Sequence, residues 1–346
     1  MLEDDPLRNK PCTHYGGLTA AGFSVVCAAD TNTEHLLAFA RKAGLQPKNI
    51  FLNHEELLGA AAPDAVIIAT WTPSHNTIAI DAAKNGARCI ILEKPVSHSL
   101  KETRKLLEEC EKNNTKLIVN HERRFDSRYR KAKAMIENGL LGEIRTINAR
   151  ILTGPYRGSG NPLEGGGPLL HDGTHLVDIC RFFLGEIDTV QGEFKRFGRK
   201  TGYEDRAAAW LKTVGGADIF IEAGGGCGYF VFELEIFGTK GKILIGNGYE
   251  KFYKSSKSAL YTNFNDLKES VFPKFKKDNC FTNLYREVKD ILDGKDIPLT
   301  SSGTDGYKAL EIVHAIYYSA HKNGKTLKLP MNPEKVNIKK IFGLHS

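Results

Sequence analysis

Cys89-Ile90-Ile91-Leu92-Glu93-Lys94-Pro95 decides how this chain reads. An apolar run of this length, followed at once by polar residues and a proline, describes a strand buried on both faces, as in a parallel sheet covered by helices. Ligands of open α/β sheets bind outside the carboxyl ends of the strands. Here a carboxylate, an amine and a rigid ring stand at such an end. A lysine there can meet a substrate hydroxyl and a cofactor at once, and its neighbours can tune its pKa. Taken alone, the tripeptide reads equally well as a solvated Lys-Pro turn; its surroundings give it weight.

Outward from that strand, the first ~120 residues alternate strand and helix patterns at βαβ spacing. Phe23–Ala29 is an apolar run closed by Asp30, and Thr33–Ala43 reads as a helix with Thr33 as N-cap and Gly44 at its far end. Ala65–Thr70 reads as a second buried strand, Ser74–Asn85 as a helix capped by Ser74, and Arg88–Leu92 as a third strand. Ser99–Asn113 carries a capping box, Ser99 with Glu102, and Lys116–Asn120 is a fourth strand. After Arg124 the pattern changes. A helix over Ser127–Asn138 and a strand over Glu143–Leu152 lead to a Gly/Pro loop, Gly154–Gly167, and a helix from Pro168. Strand patterns follow at Val190–Phe197, Ala207–Thr213, Asp218–Ala223, Tyr229–Phe237 and Lys242–Ile245, with Gly215-Gly216 as a hairpin turn. Helices close the chain at Thr282–Leu292 and Ser302–His321. The expected fold class is an α/β doubly wound domain over residues 1–122, then an α+β domain with a large, mostly antiparallel sheet over 123–346. The C-terminal helix can pack back on the first domain.

At 346 residues, two domains are the default, and 41% hydrophobic with 26% charged residues describes an ordinary globular protein. No apolar stretch approaches the ~20 residues of a membrane span. The acidic start, Met1-Leu2-Glu3-Asp4-Asp5, is unlike a secretory signal. Seven scattered cysteines without Cys-x-x-Cys spacing point to reduced thiols in a cytoplasmic protein. A net charge of +7 suits an anionic ligand. The lysines at 251, 254, 257, 274, 276 and 277 come without any nucleic-acid-binding motif and read as solvated faces.

Asp30 at a strand end can accept from a ribose 2′-OH and would repel a 2′-phosphate, so NAD is preferred over NADP; the plain alternative is an N-cap. The usual partner of such an aspartate, Gly-x-Gly-x-x-Gly about twenty residues earlier, is missing, as is its strand: residues 1–12 are polar and interrupted by Pro6 and Pro11. Thr70-Trp71-Thr72-Pro73-Ser74-His75 is a polar turn where a nicotinamide ribose would lie, with Thr70, Pro73 and His75 as candidate contacts; His75 reads equally as a satisfied histidine at a helix start. In Gly165-Gly166-Gly167-Pro168-Leu169-Leu170-His171-Asp172-Gly173-Thr174-His175, the glycines allow close approach to a ligand. On a regular helix His171, His175 and Asp178 share one face. That face can present an acid/base pair or hold a metal; no resident metal is expected.

Together these residues resemble the Gfo/Idh/MocA family, the glucose–fructose oxidoreductase and inositol dehydrogenase group, over nearly the whole chain. The resemblance runs through Val25–Asp30, Pro63–Thr70, Glu93-Lys94-Pro95, Arg123-Arg124-Phe125, the glycine–histidine segment and Glu235–Gly241. It implies a Rossmann domain binding NAD(P), a sheet domain that pairs subunits into homodimers or homotetramers, and hydride transfer from a secondary hydroxyl of a sugar or polyol. It also implies that Lys94 polarises the reacting oxygen and His175 is the general acid/base, with Glu93 beside the cofactor. Asp30, Lys94 and His175 are then expected around one nicotinamide. Two departures stand out. His171 occupies the position, four before His175, where the family commonly has Asp, with Asp172 displaced by one. The first strand and glycine loop are absent; a start assigned too late is the expected cause, leaving Glu3–His14 as the loop past the glycines, with Arg8 or Lys10 near phosphate. The rival expectations are a non-catalytic nucleotide- or sugar-binding relative, and a hydrolase or lyase of the same fold using tightly held NAD or a metal at His171 and His175.

Overall fold

The computed structural model describes residues 2–154, 166–198 and 202–344. In chain order the helices are α1 (His14–Ala20), α2 (Thr33–Ala43), α3 (His54–Ala61), α4 (His75–Lys84), α5 (Leu100–Lys112), α6 (Ser127–Glu137), α7 (Thr174–Leu184), α8 (Cys280–Leu292) and α9 (Gly303–His321). The strands are β1 (Ala28–Ala29), β2 (Ile50–Phe51), β3 (Ala65–Ile68), β4 (Cys89–Leu92), β5 (Lys116–Val119), β6 (Ile144–Leu152), β7 (Ile187–Lys195), β8 (Arg206–Thr213), β9 (Asp218–Gly224), β10 (Val231–Gly238), β11 (Gly241–Gly246), β12 (Tyr249–Lys257), β13 (Asn265–Ser270) and β14 (Leu327–Lys328). The chain forms two units: Met1–Ser97 with Glu102–Asp126 and Asp278–Thr304, and His98–Lys101 with Ser127–Lys277 and Asp305–Ser346. The first unit therefore extends to Asp126 and takes in α8, a segment distant in sequence.

In the first unit, β4 is fully buried and pairs in parallel with β3 on one side and β5 on the other. The apolar stripe of α8 (Leu284, Tyr285, Val288, Ile291) joins Cys89, Ile91, Ile118, Phe125 and Leu18 in one core cluster. Each such aliphatic side chain contributes about 1.5–3 kcal/mol of burial. β1 pairs only with β2, in a separate two-stranded parallel sheet. The run expected as a strand over Phe23–Ala29 thus pairs with another strand only at Ala28 and Ala29. Ala65–Thr70, expected as a buried strand, is an edge: β3 has one partner, and Ile67 is 36% exposed. Among the described residues no strand is formed ahead of β1, where residues 2–13 supply a short 3-10 turn instead. Two cap readings change as well. Asn32, not Thr33, caps α2 through Glu34 and His35 N–H groups, and Ser74 makes no side-chain cap, because a 3-10 turn over Thr72–Ser74 precedes α4.

The second unit is built on a nine-stranded sheet, ordered β13-β12-β11-β10-β6-β9-β8-β7-β14. Every pairing in it is antiparallel except β6 with β9. Strict alternation sets its faces: Ala207, Leu211, Ile219, Ile221, Leu234, Ile236, Ile243 and Ile245 are buried, while Trp210 and Phe220 on the other face are exposed. β12 and β13 escape a hydrophobic reading because β12 buries only Phe252. Lys251, Lys254 and Lys257 lie along this hairpin at the sheet's edge, where lysines discourage further strand pairing. The Gly154–Gly167 loop lies outside the described residues from 155 to 165.

Candidate active site

At the carboxyl end of β4, Glu93 is held from three elements. Asn120 Nδ2 donates to Glu93 Oε1 at 2.7 Å, and His14 Nε2 lies 2.9 Å from the same oxygen. His14 Nδ1 in turn lies 2.7 Å from the Tyr285 hydroxyl. Burial works against the charged carboxylate. The bonds from His14 and Asn120, with the charges of His14 and Lys94, outweigh it and bring Glu93 down to about 2. The Lys94 N–H donates to Glu93 Oε2 at 3.2 Å. The Lys94 ammonium also bears on Glu122, whose carboxyl burial pushes up against the attraction of Arg123 and Lys94. The Lys94 charge thus acts on both Glu93 and Glu122 at this strand end. His14 and Tyr285 give no sign in the sequence; only packing of α1 and α8 brings them to Glu93.

This arrangement predicts a pH-dependent contribution to stability. A carboxyl held below its ordinary value stabilises the fold above about pH 4.5, and that stabilisation disappears as the pH falls toward 2. Its side chain is 26% exposed, so roughly 2–3 kcal/mol is expected. Glu93→Gln should lose that amount in urea unfolding at pH 7, with the gap to the parent narrowing below pH 4.5 and closing only as the pH falls to about 2. Equal stability at pH 7 would refute the network.

Asp30 is exposed at the end of β1. Its Oδ1 accepts from Asn32 N–H at 2.8 Å, so it is an Asx-type turn residue rather than the helix cap, with acceptor capacity left for a ribose. Thr70 and Pro73 are exposed past β3, and Ser74 Oγ donates to Thr70 Oγ1 at 2.8 Å. His75 is different. It is 1% exposed, with Nδ1 3.0 Å from Pro95 O and Nε2 3.0 Å from Thr70 O. Burial lowers its pKa although both carbonyls favour the cation. The reading of His75 as a cofactor contact is corrected: it is a buried strut joining the Thr70 turn to Pro95.

In the second unit, Leu169–Gly173 is a π turn leading directly into α7. Such turns concentrate at functional sites. The π turn changes the regular helical spacing assumed for His171, His175 and Asp178. His171 is partly exposed and its Nδ1 lies 2.9 Å from Asp172 Oδ1, whereas His175 and Asp178 are buried. The displaced acid therefore pairs with His171. Gly167 is glycine because a Cβ there would overlap the Glu204 carboxyl, and Gly166 adopts φ +73° against Leu170. Close packing, rather than freedom to approach a ligand, accounts for these two; Gly165 lies outside the described residues. Among the described residues the group of three acids and imidazoles able to hold a cation is His54, Glu55 and Asp81, in the first unit.

A parallel αβ unit with an acid and an amine at strand ends, and a mixed-sheet unit carrying a histidine helix, define a two-part nicotinamide-dependent oxidoreductase. Residues 11–121 match the oxidoreductase family with NAD-binding Rossmann fold, and residues 129–244 match the GFO/IDH/MocA C-terminal domain. The chain is 31% identical over 236 residues to the scyllo-inositol 2-dehydrogenase (NAD(+)) of Bacillus subtilis, covering 65% of this chain and 67% of that one. It is 26% identical over 305 residues to the myo-inositol 2-dehydrogenase of Thermotoga maritima, covering 83% and 86%. In fold it resembles the WlbA dehydrogenase from Bordetella pertussis in complex with NADH and UDP-GlcNAcA, with a TM-score of 0.77 at 23% identity over 92% of this chain and 95% of that one. The chain belongs to the Gfo/Idh/MocA family: it is an NAD(P)-dependent dehydrogenase acting on CH–OH groups, and NAD is its cofactor.

The residues fit NAD unevenly. Asp30 suits a ribose, and Glu93 and Lys94 suit the reactive end. Among the described residues no Gly-x-Gly-x-x-Gly turn ahead of Asp30 offers itself to the pyrophosphate. Gly16 and Gly17 serve packing, since a Cβ would overlap Glu3 at the first and Phe281 at the second.

Proposed function

We propose that this dehydrogenase oxidises a secondary hydroxyl of a cyclic polyol or a sugar to the ketone, with Lys94 and His175 carrying the chemistry. The observation that supports it most is the Glu93-Lys94 end of β4, where hydrogen bonds from Asn120, His14 and the Lys94 N–H hold Glu93 and so fix the strand end that carries Lys94 where ligands of such sheets bind. Bound NAD supplies the hydride acceptor. Lys94 donates a hydrogen bond to the reacting oxygen and stabilises the negative charge that grows there as the hydroxyl proton leaves. His175 takes that proton on a ring nitrogen, and the C–H bond electrons leave as hydride, giving C=O. His171, oriented by Asp172, contacts substrate hydroxyls on the exposed side of the turn. Asp30 holds the ribose, and Thr70 and Pro73 border the nicotinamide. Each role rests on the residue's own unit and on the family resemblance. The inositol and apiose dehydrogenases among its relatives favour the polyol and sugar class. The test is NADH formation with purified protein, NAD and a panel of inositols, aldoses and 1,5-anhydro sugars. Failure of every polyol and sugar, with NAD bound, would refute the substrate class.

The protein pairs through the open face of its nine-stranded sheet. That face bears a shallow trough of about 470 Å³ lined by Arg150, Glu193, Arg206, Trp210, Phe220 and Glu222, where stacked aromatics alternate with ion pairs. Self-complementary charge with exposed aromatics suits a second copy of this chain, as homodimer or homotetramer. Sedimentation should return a multiple of 38.3 kDa, and a lone protomer at micromolar concentration would refute the pairing. No described helix is long and apolar enough to cross a membrane. Seven free cysteines suit a reducing compartment, and we assign the protein to the cytoplasm.

A further inference from the structure

Glu204 belongs to none of the expected sites, yet it is 1% exposed beside the histidine turn. Its Oε1 accepts from the backbone N–H of Leu169 at 2.9 Å and from the Tyr317 hydroxyl at 2.9 Å. Its Oε2 is enclosed without a hydrogen-bond partner among the described residues. The carboxyl fills the volume a Gly167 side chain would take, so loop and acid are complementary in shape. Leu169 opens the π turn, and its N–H is one of those a helical start leaves without an internal acceptor. The other titratable groups facing Glu204 are Tyr317 and, through it, Tyr203. Arg196 contributes its field; its Nε donates to Gly202 O at 2.6 Å and its guanidinium lies over the Phe194 and Phe342 rings.

We propose that Glu204 is the positioning residue of the histidine turn: by anchoring Leu169 N–H to Tyr317 it sets the π turn that carries His171 and Asp172 and leads into His175. The inference rests on reading that helix as catalytic, and it adds a regulation of the same site. Burial pushes Glu204 up to about 7, although the bonds from Leu169 and Tyr317 and the charge of Arg196 favour the ionised form. Below that pH the anchor is a neutral acid. Above it, a buried carboxylate pulls harder on Leu169 while its second oxygen is charged and unpartnered. The turn is therefore anchored differently on the two sides of neutrality.

Glu204→Gln keeps the acceptor and removes the titration. In protein labelled with 15N-leucine and 13C-histidine, the parent should show a Leu169 amide shift with a midpoint near pH 7 and a matching inflection in the His171 ring signal. Both should vanish in E204Q. A raised carboxyl costs stability as pH climbs from about 4.5 through 7. E204Q should therefore melt with the parent at pH 5 and roughly 5 °C above it at pH 8.5. With an accepted polyol, kcat of the parent should change severalfold between pH 6 and 8 at a step absent from E204Q, while KM for NAD stays within twofold. Tyr317→Phe, losing one bond to the ionised form, should move the Leu169 midpoint upward, which keeps the test open if E204Q does not fold. A parent Leu169 signal flat from pH 5.5 to 8.5 would overturn the proposal. So would a Tyr317→Phe midpoint that stays in place, or a melting shift in E204Q with an unchanged His171 titration and kcat profile. If no polyol yields NADH, the resonance measurements still decide the anchor, and that failure falls on the substrate reading alone.

Discussion

Lys94→Ala is expected to lower kcat/KM for polyol oxidation by about a thousandfold or more, roughly 4 kcal/mol of transition-state stabilisation. The magnitude follows from where charge develops. Removing a hydroxyl proton as hydride departs places negative charge on oxygen, and the positive charge of Lys94 at the end of β4, beside the braced Glu93, would stabilise it. Lys94→Arg should not rescue activity, since a planar fork cannot occupy the place of a compact ammonium. NADH affinity, followed by fluorescence titration, should change by less than tenfold, because Asp30 at the end of β1 is untouched. An alanine variant retaining a tenth of the parent's activity would remove Lys94 from the chemistry.

His175→Ala comes second. Loss of a general base typically lowers kcat by about 10²- to 10⁴-fold. His171→Ala should act mainly on KM, because His171 is partly exposed and paired with Asp172, whereas His175 is buried on α7. Should His171→Ala instead abolish turnover while His175→Ala spares it, the two roles would have to be exchanged.

Much of the fold is legible because parallel strands advertise themselves. Cys89–Leu92 is apolar at every position, and a strand with both faces covered has no other economical composition. The alternation of β8 through β11 is equally plain. Legibility failed where pairing rather than burial makes the strand. The apolar run ending in β1 reads as a full strand but pairs over two residues, since a strand needs a neighbour along its whole length. β12 pairs fully yet reads as a solvated lysine stretch. At the candidate site, local chemistry was visible and its support was not. Glu93-Lys94 stands out in the chain, but His14 and Tyr285, 271 residues apart, form its hydrogen-bonded brace. His75 read equally as a ligand contact and as a satisfied histidine, and its two ring nitrogens each lie 3.0 Å from a backbone carbonyl oxygen.

Periodicity and end-of-strand residues, both local properties of the chain, determined the αβ class, the mixed-sheet partner unit and the positions of Asp30, Lys94 and His175 along it. Only the tertiary structure decided that the first unit's strands fall into two sheets, that a π turn offsets His171 from His175, and that Glu204 lies against Gly167. Those outcomes depend on which distant groups compete for the same hydrogen bonds and the same volume, and neither quantity is encoded in any single stretch of sequence.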